Sequence, residues 1–113
     1  MSAYLHTLGP LDDAALAAMA LAGMREINQA AHAATAEADT AYTVTGAETR
    51  RVMLFFTGTA ANQVRFRCNA TAASTHMPLV PQQYVFCSAV AGETVHFYNT
   101  ATAAATVNVM EIA

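Results

Sequence analysis

At 113 residues, with 55% hydrophobic side chains, only 12% charged ones and a net charge of −3, the chain has room for one domain and too little charge for a freely soluble small monomer. All five basic residues are arginine, and the lack of a basic excess argues against direct nucleic-acid binding. The expectation is a domain whose surface is completed by neighbouring copies.

The N-terminal third is dominated by alanine, with thirteen between residues 14 and 41. Gly9-Pro10-Leu11-Asp12-Asp13 reads as a helix start, because Asp12 or Asp13 can accept hydrogen bonds from the first free backbone N–H groups. Leu16, Met19, Ala20, Gly23, Met24, Ile27, Ala31 and Ala34 then fall on one stripe at about 100° per residue, with Arg25, Gln29, His32 and Ala36 opposite. Residues 1–40 are therefore expected as an α-helical arm, folded home or reaching a neighbour, and residues 41–113 as a separate module. The start has no basic segment followed by a long apolar run, and the apolar stretch 14–24 is too short to span a bilayer, so synthesis in the cytoplasm is expected.

From Tyr42 onward the period changes to two. Strands are predicted over residues 41–45, 51–57, 63–69, 83–88, 94–99 and 106–112. The run Val52-Met53-Leu54-Phe55-Phe56 predicts burial on both faces. In 63–69, Val64, Phe66 and Cys68 oppose Arg65 and Arg67. After Val109 the apolar phase passes to Met110 and Ile112, which predicts a bulge. Short strands at this spacing after a helical segment predict a mainly β fold: a small antiparallel β-sandwich, jelly-roll-like, preceded by an N-terminal helix.

No catalytic, metal or cofactor motif emerges. Cys68, His76, Cys87 and His96 lack the paired spacing of zinc sites, and both cysteines are expected as small buried hydrophobes. Neither Ser74 nor Ser88 sits in a nucleophile elbow. Glu48, Glu93 and Glu111 are expected as solvated surface acids. The residues with the character of an interface are Leu16, Met19, Met24 and Ile27 on the helix, Arg65 and Arg67 as bidentate partners, and Tyr84 and Tyr98 as amphipathic aromatics.

The stretch Val64-Arg65-Phe66-Arg67-Cys68-Asn69, an Ala/Thr loop, Met77-Pro78-Leu79, Tyr84-Val85-Phe86, the turn Ala91-Gly92-Glu93 and the closing Ala105-Thr106-Val107-Asn108-Val109-Met110-Glu111 follow a recurrent order. In this order the β half resembles the small β-sandwich structural proteins of tailed bacteriophages, over about 50 residues. The alanine-rich segment is not part of the pattern. The resemblance implies a non-enzymatic virion component of the capsid decoration or cement type. Such a protein is oligomeric, contacts the major capsid protein or other virion subunits, and is made in the host cytoplasm, with no membrane or direct nucleic-acid partner. A head–tail junction or tail component, and a carbohydrate-binding module using Tyr84 or Tyr98, are the alternatives.

Overall fold

The structure, a computed structural model, describes residues 23–113. Seven strands follow in order: β1 (Glu26–Ala34), β2 (Ala38–Thr43), β3 (Arg51–Phe56), β4 (Val64–Cys68), β5 (Tyr84–Ser88), β6 (Thr94–Asn99) and β7 (Ala105–Ile112). They form two antiparallel sheets, ordered β1-β7-β3-β5 and β2-β6-β4. Successive strands alternate between the sheets, so every connection crosses from one layer to the other.

The core lies between the layers. Val52, Leu54 and Phe56 of β3, Cys87 of β5, and Val107 and Val109 of β7 meet Val64 of β4, and Val95 and Phe97 of β6. These are the inward positions of alternating strands, as the period of two requires. The outward face of the four-stranded sheet is apolar as well. Met53, Phe55, Tyr84, Met110 and Ile112 form a second buried cluster with Met24, and Phe86 packs against it. Burial on both faces of β3 is thus as expected.

Two expectations are corrected. Residues 26–34 are not helical: β1 pairs along its length with β7, from Glu26 opposite Ile112 to Ala34 opposite Ala105. Alanine favours helix by only about 0.5 kcal/mol per residue over strand-prone types, and a full ladder with sheet packing overrides it. β1 lies wholly within the expected arm, and β2 runs across residue 40; the stripe residues Leu16, Met19 and Ala20 lie outside the described residues. The bulge expected after Val109 is also absent from β7, whose pairing with β3 runs unbroken from Phe56–Val107 to Arg51–Ile112. Apolar residues occur at both parities because both faces are buried. The irregularity sits on the neighbouring strand instead, between Glu26 and Asn28 of β1.

Candidate functional site

The densest polar constellation is built around Glu111, an inward position of β7 with no exposed surface. Residues 44–50, between β2 and β3, wrap over it. The backbone N–H groups of Thr45 (3.1 Å) and Gly46 (2.6 Å) and the hydroxyls of Thr45 (3.2 Å) and Thr49 (3.0 Å) donate to its two oxygens, as does the Tyr42 hydroxyl. Burial alone would raise the Glu111 pKa, but these donors outweigh it and hold the carboxyl at about 2. The Tyr42 hydroxyl is pushed up, first by burial, then by its hydrogen bond to Glu111 and by the charge of that carboxylate. A Cβ on Gly46 would lie 2.5 Å from Ile27 Cγ2, 2.6 Å from Thr49 Oγ1 and 2.8 Å from Glu111 Oε1, so only glycine lets the loop close this tightly. Every donor points at one carboxylate that solvent cannot reach, which makes the cluster a lock between β7 and the loop. The expectation of a solvated Glu111 is therefore corrected: the loop supplies the hydrogen bonds that water would otherwise provide.

A second string lies on the outward face of the three-stranded sheet. Asp39 Oδ2 is 2.9 Å from His96 Nδ1, and His96 Nε2 is 3.1 Å from Thr94 Oγ1. A carboxylate, imidazole and hydroxyl in this order have the connectivity of a nucleophilic relay. Yet Asp39 also accepts the Ala72 backbone N–H at 2.9 Å, tying the β4–β5 loop to β2, a structural use of the same carboxylate. A depression of about 540 Å³ opens elsewhere, beside Arg25, Glu48, Arg50 and Val90. Its one ion pair, Arg25–Glu48 at 3.2 Å, is well exposed and contributes little. Among the described residues, no cluster of His, Cys, Asp and Glu is arranged to hold a metal ion.

The cysteines, expected as buried and unpaired, form a Cys68–Cys87 disulfide across the two layers, and Cys68 is exposed. Both occupy inward positions where the layers converge to a Cα separation of 6.4 Å, closer than the usual ~10 Å between facing sheets.

The expected interface residues do not share a surface. Leu16 and Met19 lie outside the described residues. Met24 and Tyr84 are buried in the outward cluster, and Ile27 is half-buried against the Gly46 turn. Arg65 donates to the His76 carbonyl at 3.0 Å, and Arg67 approaches the same histidine's ring at 3.5 Å, so both hold the chain's own loop. Tyr98 is half-buried on the outward face of the three-stranded sheet. The chain matches no protein-family model and no curated protein.

Proposed function

We propose that this protein is a structural component of a tailed-phage virion, most simply a capsid decoration protein that stabilises the head shell through oligomeric contacts with the major capsid protein. The observation that carries this reading is the outer edge of β1. Among the described residues β1 pairs with β7 on one side and with no strand on the other. Apart from the irregularity at its start, residues 29–34 have no lysine, proline or bulge, the usual guards of an exposed edge. Exposed Gln29, Ala31 and Ala33 offer a flat, small-residue border to another subunit. The strand orders β1-β7-β3-β5 and β2-β6-β4 also follow a jelly roll. Residues 77–79 run beside β4, through Phe66 N–H to Met77 O and Leu79 N–H to Val64 O, where an eighth strand would lie. Jelly rolls recur in viral capsid, lectin and cupin domains, which makes the virion reading one of a short set.

Sedimentation of the full chain, alone and mixed with undecorated phage heads, tests it. The expected result is self-association or saturable head binding. A monomer at every concentration that binds no head overturns it. A lectin reading retains only Tyr98, since Tyr84 is buried; quenching of tyrosine fluorescence by a glycan, lost in Tyr98→Ala, would favour it.

A further inference from the structure

Gln29, Ala31 and Ala33 present more than small side chains at the border of β1. Thr106 O accepts the Thr57 N–H at 3.4 Å and Ile112 O the Arg50 N–H at 2.9 Å, so the even-numbered residues of β7 direct their backbone groups toward β3. The odd-numbered ones therefore face β1, as do the paired bonds between Ala113 and Arg25 just beyond the strand. In the register of β1 against β7, the partners of those odd-numbered residues are Asn28, Ala30, His32 and Ala34. The N–H and C=O groups of Gln29, Ala31 and Ala33 accordingly point away from the sheet. Among the described residues these groups meet one partner: Asn28 Oδ1 accepts the Gln29 N–H at 2.9 Å, in the place that a neighbouring strand's carbonyl would take.

We propose that this border binds the same border of a second copy, as an antiparallel pair of β1 strands about a two-fold axis at Ala31, joining two four-stranded sheets into one. Resting on the reading of β1 as a subunit contact, the pairing names its partner. The backbone sets the register. With Ala31 opposite the second copy's Ala31, and Gln29 opposite its Ala33, every outward group in the regular part of the strand finds a partner, two bonds to each pair. A slip of one residue sets outward groups against groups already bonded to β7. A slip of two puts Ala33 opposite Ile27 in the irregular start of β1, or Gln29 opposite Thr35 beyond the end of the strand. The side chains agree with the chosen register. Alanine meets alanine on the axis, Gln29 meets Ala33 on the outer face, and Ala30 meets His32 on the inner one. Residues 28–34 contain no Lys, Arg, Asp or Glu, so no like charges face each other. A strand edge of this kind is its own complement, and a two-fold pair consumes both edges and closes at two copies.

Amide hydrogen exchange of the unaltered full chain, followed by nuclear magnetic resonance across the concentration range in which sedimentation equilibrium shows dimer and monomer, tests this. The Ala31 and Ala33 amides should exchange at least about tenfold more slowly in the dimer than in the diluted chain. The Ala30 and His32 amides, bonded to β7 in either state, should not change. In a mixture of labelled and unlabelled chains, a nuclear Overhauser contact between chains from Ala30 Hα to His32 Hα is expected, because these are the close, non-hydrogen-bonded neighbours in this register. A chain that stays monomeric at every concentration overturns the proposal, as does a dimer whose Ala31 and Ala33 amides exchange as fast as in the monomer. A contact between chains that pairs other residues of β1 overturns the two-fold axis at Ala31. Saturable head binding by a chain whose Ala31 and Ala33 amides never become protected defeats the pairing and leaves the virion reading standing. Protected amides in a chain that binds no head uphold the pairing and count against the capsid contact.

Discussion

Glu111 occupies an inward strand position, following Val107 and Val109 in the alternation, and its charge survives there because five donors from Tyr42, Thr45, Gly46 and Thr49 surround it. Its folded pKa, lowered from 4.5 to about 2, means that the native state favours the carboxylate. That stabilisation is fully present above about pH 4.5 and is lost as pH falls toward 2, and it amounts to about 3 kcal/mol. His32, packed 5.1 Å from the Phe97 ring, has its pKa lowered by burial, so it adds a loss of the same sign beginning near its ordinary value of 6.5. Urea midpoints should therefore fall in two steps on acidification, and Glu111→Gln should remove the lower step. That variant also sets an amide N–H₂ against N–H and O–H donors, and should cost about 2–4 kcal/mol at neutral pH. Gly46→Ala should cost a comparable amount without altering the acid profile in kind, read from the same midpoints, because its Cβ pushes the loop from the carboxylate. Little of this lock was legible beforehand. A lone glutamate after Val107 and Val109 looks like a surface acid, and the donors lie more than 60 residues away in sequence.

At the scale of elements, the strands from β3 to β7 were legible because alternation and turn chemistry agree. Gly92 takes a φ of +88° between β5 and β6, and residues 101–104 turn the chain between β6 and β7. β1 was not legible. Ile27, Ala31 and Ala34 fit a helical stripe, while Ala30, His32 and Ala34 fit the inward side of a strand; in a run of alanines both periods are satisfied, and only the ladder with β7 decides. The same small residues leave the border of β1 flat. A positive charge there should keep a second strand away without disturbing the fold, since Ala31 is exposed. Ala31→Lys should shift the full chain toward monomer in sedimentation velocity while changing unfolding stability by no more than about 0.5 kcal/mol. An unchanged distribution would count against the β1 border as a subunit contact.

For the whole molecule, the alternation of β1 to β7 between the sheets means that no two successive strands pair with each other, and the pairings within each sheet join segments distant in sequence. A second apolar face adds to the burden: covering Met53, Phe55, Tyr84, Met110 and Ile112 at about 1.5–3 kcal/mol apiece is comparable to the 5–15 kcal/mol net stability of an ordinary domain. In such a topology a crosslink between layers restricts the unfolded chain more than a local tie would. Cys68 and Cys87 are 19 residues apart, and the loop they close contains the crossing from β4 to β5. Their meeting was invisible in the sequence because it depends on that crossing. Closing a loop of this length is worth about 3 kcal/mol through the entropy of the unfolded chain. Reduction, or Cys68→Ser with Cys87→Ala, should lower unfolding stability by about that amount and leave the β-sheet circular dichroism of the folded chain intact. Since Asp39 binds the Ala72 N–H and Arg65 the His76 carbonyl, the loop inside the crosslink keeps its own anchors on β2 and β4. The loss should therefore appear as a lower urea midpoint with a steeper denaturant slope from a more expanded unfolded state, and not as local loosening; rapid hydrogen exchange confined to residues 69–83 after reduction would show instead that the disulfide only pins the loop.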